Sequence, residues 1–338
     1  MNNSVSDPAP VLELIEAFRR SKIMFGAVSL GVFEQLAAGP ASAETLAKEL
    51  NADSDALERL LNACVAMQLL TRDGDQFANT PIATTYLCRE SPRQLTGYIN
   101  FSNKILWQLW ENLEDAVRDG TNRWRQTFSS DGPIFANLFS TEEAKREFSI
   151  GMHGFGQISS PAVVAAFDLG RFQRMVDLGG ATGHLVIAAC QRYPNLRAVV
   201  LDLQSVIPLA QEKIADAQLA DRIEIVAGDF FVDPLPKGDL YAVGRILHDW
   251  SEDKIDHLLR RIYESLPPNG ALLIAEKLLN DDKIGPMWAH LQSLNMLVVA
   301  EGKERTLLEY TALLKKAGFS KIEASRTPGP LDAILAYR

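Results

Sequence analysis

Cysteine is scarce in this 338-residue chain: Cys64, Cys88 and Cys190 stand far apart and form no CxxC pair. That excludes a disulfide framework and the usual zinc-ligand spacing, and it fits a reducing compartment. Basic residues are not in excess. Lys and Arg number 34 against 43 Asp and Glu, a formal net charge of -9, which argues against a nucleic-acid partner. The opening MNNSVSDPAP lacks the basic and apolar regions of a signal peptide. No apolar run is both long enough and free enough of charge to span a membrane. There is no G-x-S-x-G elbow for a hydrolase and no His/Cys/Asp cluster for a metal. What is present, 47% hydrophobic and 23% charged residues, is the balance of a globular protein. The length favours two domains. The expectation is a cytoplasmic protein with neither a membrane nor a nucleic-acid partner.

Residues 1–165 read as mostly helical. Apolar positions recur at helical spacing over 11–38, with Gly26, Ser29 and Gly31 expected to divide the run into two helices. Ser42 is placed to start one short helix, and Asp53 or Ser54 to start the next. LLTRDGDQFANT then predicts a hairpin turning at Asp73-Gly74. Helix, turn, helix and hairpin in that order form a winged-helix arrangement. From residue 171 strand-like runs alternate with amphipathic helices, which predicts a doubly wound parallel sheet. The last two runs have no helix between them, so one edge strand should be antiparallel.

The first of these strands runs into VDLGGATGH, residues 176–184. A glycine-rich turn there lets a ligand approach backbone N–H groups at a helix N-terminus. The second strand ends in Asp202, placed to accept hydrogen bonds from ribose hydroxyls. This much allows a nicotinamide dinucleotide or S-adenosylmethionine (SAM). The spacing separates them: the glycines are Gly179, Gly180 and Gly183, which is not G-x-G-x-x-G. It follows the D-x-G-x-G-x-G habit of methyltransferases, with Ala181 in the middle place. The third strand supplies Gly228, Asp229 and Phe230. There Asp229 can accept from an adenine amino group and Phe230 can lie against the ring.

The fourth strand leads into GRILHDWSED. His248 falls on the same rim of the sheet as the glycine turn. A phenol, with a pKa of about 10, is a poor nucleophile until a base takes its proton. A histidine does this when a carboxylate holds its other nitrogen. Glu276 and Glu304 are the candidates for that carboxylate, although Glu304 could equally pair with Arg305 or Lys303 on the surface. Asp249 and Trp250 read as capping and packing the helix that follows.

VDLGGATGH, LDL, GDFFVDPLP, RILHDW, AEKLL and EGKERT together resemble the SAM-dependent small-molecule O-methyltransferases of the caffeate and hydroxyindole type, from about residue 12 to the C-terminus. SLNMLVVAEGKERT and LDAILAYR are similar to the hydroxyindole (acetylserotonin) branch. The resemblance implies a Rossmann-like class I methyltransferase domain over 166–338. Residues 1–165 would be an all-helical winged-helix dimerisation and lid domain, through which two subunits interlock and help close each other's sites. It implies His248 as base with Glu276 and Glu304 beside it, and Gly179, Asp202, Gly228, Asp229, Phe230, Arg245 and Phe139 at the cofactor. Asn295, Met152 and Trp107 would lie toward the substrate. Met24, Phe135, Trp288 and Met296 are further candidate walls, each equally compatible with ordinary core. No metal is implied, and the product would be S-adenosylhomocysteine (SAH). Two departures stand out. Ala181 puts a methyl group where a glycine is usual, and Gly156 replaces a tryptophan, which implies a larger pocket over the cofactor.

The reading is therefore a homodimeric O-methyltransferase acting on a small aromatic hydroxyl. The same fold also serves methylation of carbon or nitrogen. A winged-helix regulator on DNA is a third reading, but residues 1–100 carry eight Lys/Arg against twelve Asp/Glu, and the second helix offers only Arg59.

Overall fold

The computed structural model describes residues 6–130 and 141–338, the side chains of 143 and 144 excepted. Phe135 and Phe139 lie outside the described residues. The chain divides into two compact units, Met1–Lys104 and Ile105–Arg338.

In the first unit one helix, Ala9–Leu30, passes Gly26 and Ser29 unbroken and ends at Gly31, whose φ is +83°. Gly31 thus divides the run into two helices as expected, the second being Val32–Gln35, while Gly26 and Ser29 do not break it: an interior glycine costs about 1 kcal/mol, which a long helix absorbs. Ser42 caps Ala43–Glu49 by accepting from the Thr45 N–H at 3.2 Å. Asp53 caps Ser54–Ala66 by accepting from Ala56 at 2.9 Å. Strands β1 (Ala41–Ser42), β2 (Leu70–Asp73) and β3 (Gln76–Asn79) form a small antiparallel sheet in the order β1-β3-β2. The unit is accordingly not all-helical, because the extended backbone that precedes the Ser42 cap pairs with the hairpin at Phe77. Val28, Phe33, Leu46, Leu61 and Phe77 build its core. Met24 packs against this core, one of the expected pocket walls with an ordinary packing role.

The second unit holds β4 (Arg174–Leu178), β5 (Arg197–Asp202), β6 (Ile223–Ala227), β7 (Leu240–Gly244), β8 (Ala271–Glu276), β9 (Lys321–Ser325) and β10 (Asp332–Tyr337). Their order is β6-β5-β4-β7-β8-β10-β9. Neighbours from β6 to β8 are parallel. The antiparallel strand is β10, and it is not at the edge as expected. It turns directly back from β9 and fills the place between β9 and β8, with Ile334 opposite both Ala324 and Ile274. The strand order reverses around β4, which opens a crevice at the carboxyl ends of β4, β5 and β7.

One face of the sheet (Met175, Val200, Leu273) is covered by helices Glu142–Ala165 and His184–Arg192 through Val163, Leu185 and Ala189. The other (Val176, Val199, Ile274) is covered by Glu252–Ser265 and Leu307–Ala317. The division after Lys104 falls well before the domain boundary expected at 165. Helix Glu142–Ala165 belongs to the sheet unit's core, and Trp107–Trp110 and Leu113–Asp119 pack on helix Met287–Val299.

Candidate active site

The turn after β4 takes two kinds of residue through the left-handed region: glycine at 179 (φ +68°) and 183 (φ +79°), and alanine at 181 (φ +48°). Gly180 must lack a side chain, since a Cβ there would come 2.7 Å from Asp177 Oδ2. At the end of β5, Asp202 accepts from the Ala181 N–H through Oδ2 and from the Leu203 N–H through Oδ1, both at 2.7 Å. Each oxygen retains a lone pair for a further donor. Burial pushes Asp202 up to about 6. Burial, with Asp202 nearby, pushes Asp177 to about 8. The Phe230 ring edge borders the turn, 3.2 Å from where a Gly179 Cβ would be. The Gly228 N–H donates to the Asp202 carbonyl at 2.9 Å. Asp229 Oδ1 accepts from the Phe231 N–H at 2.8 Å, which curls the loop. The fold thus brings Gly179, Asp202, Gly228, Asp229 and Phe230 together, with a carboxylate and a ring edge beside a turn whose Gly179, Ala181 and Gly183 N–H groups are held by the Leu201 carbonyl, Asp202 and the Gly180 carbonyl. A carboxylate with lone pairs to spare, a ring edge and a turn without bulky side chains fit an adenosine-bearing cofactor.

Ala181 holds a left-handed conformation that disfavours a Cβ. Ala181→Gly is expected to stabilise the fold by roughly 0.5 kcal/mol, the relieved strain less glycine's larger unfolded-state entropy. Urea denaturation would read this; a loss of stability would contradict it.

Arg245 follows β7, also at positive φ (+57°). Its guanidinium lies 4.5 Å from the Phe155 ring centroid, and Nη1 is 3.7 Å from the Met152 sulfur. Trp288 stacks on Phe155 with ring centroids 6.5 Å apart. Asn295 Oδ1 accepts from Trp110 Nε1 at 2.9 Å, so the carbonyl of that amide is already engaged. Trp107 begins the short helix that ends at Trp110. Met296 is buried.

His248, Glu276 and Glu304 converge although 56 residues separate the first from the last, and all three are buried. His248 Nδ1 is 2.7 Å from Glu304 Oε1 and 3.4 Å from Glu276 Oε2. A carboxylate oxygen accepts, so Nδ1 carries the hydrogen toward Glu304, and in the neutral ring Nε2 keeps its lone pair. Glu276 acts on the backbone instead, where its Oε1 accepts from the N–H groups of Ile246 (3.0 Å) and Leu247 (2.9 Å). It therefore clamps the loop that carries the histidine. Burial opposes charge on the imidazole, but Glu276 and Glu304, with Asp249, outweigh it and raise His248 to about 9. Burial in turn pushes Glu276 up to about 7. One donor atom from each of the three lies within 4.8 Å of the others, a spacing that would also suit a divalent cation.

The chain matches the O-methyltransferase domain over residues 110–320 and the O-methyltransferase dimerisation domain over 12–89. The chain belongs to the O-methyltransferase family. It is 38% identical to acetylserotonin O-methyltransferase of Bos taurus, over 96% of each chain. It superposes on a crystal structure of human N-acetylserotonin methyltransferase in complex with SAM at a TM-score of 0.93 and 35% identity, covering 100% and 99% of the two chains. A riboflavin-analogue N,N-dimethyltransferase of Streptomyces davawensis is a more distant neighbour, with a TM-score of 0.84 and 26% identity over 98% and 99%.

In this methyltransferase the motifs LHDW and GKERT are two halves of one device, a link that no local pattern in the sequence expresses. Gly302 lies against the backbone of the loop that carries His248: a Cβ there would come 2.4 Å from the His248 carbonyl oxygen and 2.6 Å from that of Trp250. Arg305, 1% exposed, donates from Nη1 to the Leu247 carbonyl at 3.1 Å and the Lys303 carbonyl at 3.0 Å. Its Nη2 donates to Glu252 Oε1 at 2.9 Å. The surface pairing of Glu304 with Arg305 or Lys303 is therefore corrected: Arg305 turns to Glu252 and the loop carbonyls, which leaves Glu304 for His248. The capping role expected of Asp249 is corrected too. Ser251 holds the N-cap place of the next helix, and the Asp249 carboxyl sits 3.6 Å from His248 Nε2. Trp250 does pack, edge-on to Phe231 at 5.1 Å.

Proposed function

We propose that this chain transfers a methyl group from SAM to the hydroxyl of a small aromatic acceptor, phenolic or hydroxyindole-like, with His248 as general base. One observation carries the reading: an imidazole whose Nδ1 is committed to Glu304, leaving Nε2 to act as the base once the ring is neutral, on the same sheet rim as a glycine turn paired with Asp202. Bound at that turn, SAM supplies an electrophilic sulfonium methyl. Asp202 would hold the ribose hydroxyls, Phe230 would face the adenine with Asp229 at its amino group, and Gly179, Gly228 and Arg245 would complete the cofactor's contacts. Phe139 is proposed to cover it. Met152, Trp107 and Asn295 would border the acceptor. Nε2 takes the acceptor's proton, Glu304 stabilises the resulting imidazolium, and Glu276 keeps the loop from shifting as charge develops. Positioning supplies most of the acceleration and the base roughly 10²–10⁴-fold. No metal enters this scheme.

Residues 1–165 are proposed to serve dimerisation and the lid, and 166–338 cofactor binding and chemistry. The helix–turn–helix–hairpin is read as a winged helix. Val11, Leu12, Leu14, Ile15 and Phe18 of the first helix are each more than half exposed, an apolar surface that suits a homodimer. No helix among the described residues is long and apolar enough to cross a membrane; a cytoplasmic enzyme of secondary metabolism is the setting we infer.

Calorimetric titration with SAM, SAH and NAD tests the cofactor. Micromolar binding of the first two and none of NAD is expected; the reverse would overturn the reading. Product analysis then decides the atom methylated, with methyl on nitrogen or carbon favouring the rival chemistry.

The pH profile gives a second test. Below its raised pKa His248 holds a proton and cannot act as base, so turnover should climb with pH and level off near 9. Glu304→Gln removes one of the charges that hold the pKa up, and should move this limb down by about one unit or more. An unmoved limb would mean that another group titrates.

A further inference from the structure

We propose that His184 is a positioning residue for the cofactor turn, locked in place by the absence of a side chain at Gly156 and by the hydroxyl of Ser160. The proposal rests on the reading that residues 179–183 receive SAM.

His184 is the first residue of the helix that follows Gly183. Its ring lies directly on Gly156 of helix Glu142–Ala165. A Cβ at 156 would meet His184 Cγ at 2.2 Å, and Cδ2 and Nδ1 at 2.4 Å. Any side chain at 156 is therefore incompatible with the ring where it stands. The space that glycine opens is not a larger pocket, as expected from the sequence, but the seat of this imidazole. Ser160 Oγ, one turn further on, pairs with His184 Nδ1 at 2.9 Å and sets the ring's rotation. One turn before, His153 Nδ1 pairs with Thr182 Oγ1 at 2.8 Å, and Gln157 Nε2 with His153 Nε2 at 2.9 Å. The amide donates, so His153 Nε2 accepts and its Nδ1–H points to Thr182.

His153, Gly156, Gln157 and Ser160 thus fall on one face of a single helix. Through it they fix both neighbours of Gly183. Glycine makes the turn's conformation accessible but does not select it; here the selection comes from across the interface. The arrangement is also electrically quiet. Burial, chiefly, pushes His153 down to about 4 and His184 to about 3. A helix N-terminus disfavours a cation. Neutral rings add no repulsion beside a site for a sulfonium.

The test is a double-mutant cycle read by SAH affinity in calorimetry and by the thermal midpoint of the ligand-free chain. Gly156→Ala should displace the ring and weaken SAH binding about tenfold. His184→Ala should weaken it by a few-fold. The double variant, with the clash gone, should bind SAH better than Gly156→Ala alone and have a higher midpoint than it. Ser160→Ala, which removes only the bond to Nδ1, should weaken SAH about threefold with its midpoint retained. The inference is overturned if the two substitutions are additive in both readouts, or if His184→Ala and Ser160→Ala bind SAH as the wild type does. Failure of the wild type to bind SAH would instead sink the cofactor reading and the positioning role with it. The midpoint cycle would still report on the Gly156–His184 clash.

Discussion

His248→Gln is expected to lower kcat by roughly 10²–10⁴-fold while leaving SAM affinity within a few-fold of wild type. Glutamine keeps an N–H donor for Glu304, so the buried carboxylates are not left facing each other without one. What it removes is the basic nitrogen. The proposed cofactor contacts come from a different set, the turn at 179–183 and the ends of β5 and β6, and the substitution touches none of them. Steady-state kinetics together with calorimetry separate the two effects. An equal loss of both would mean that His248 holds the fold of the site and does not move the proton. Full activity would mean that the acceptor ionises without help.

Arg305→Met should be the most destabilising single change near the site, by roughly 3 kcal/mol in urea denaturation. Methionine retains much of the aliphatic volume but no donor. The Leu247 carbonyl would lose its N–H partner in a buried setting, the Lys303 carbonyl in a partly buried one, and Glu252 its nearest cation. Loss of a buried partner costs the desolvation of the group left behind, which is why the effect exceeds that of a surface pair. Turnover should fall as well, because Leu247 adjoins His248. A change below roughly 1 kcal/mol would show that water reaches these carbonyls. Glu252, half exposed, contributes less to this figure than the two carbonyls.

Much of this protein was legible in its order of residues, because the signals were local. Ser42 and Asp53 cap helices through their own side chains onto backbone three residues on. The hairpin, which turns at Gly74-Asp75, one residue past the expected pair, and the alternation of strands and helices after 171 likewise follow from short-range chemistry. The turn at 179–183 and Asp202 meet because consecutive parallel strands end on the same rim.

The rest depended on contacts between distant segments. The sequence left open which glutamate holds His248. Glu304 does so because Gly302 lets its segment lie on the His248 loop and Arg305 is drawn off to Glu252. Glu276, at a strand end next door, finds two backbone N–H groups nearer than the ring. β10 takes an inner place because the gap between β8 and β9 needs a hydrogen-bonded strand, a demand that no local pattern expresses. Gly156 read as empty space, since a missing side chain says nothing about its neighbour. Only the packing of two helices puts the His184 ring there. By itself the sequence determined the elements, their caps and the chemistry on offer. The tertiary structure decided which groups share a proton or a volume, because those interactions act over a few ångströms and only folding brings their partners that close.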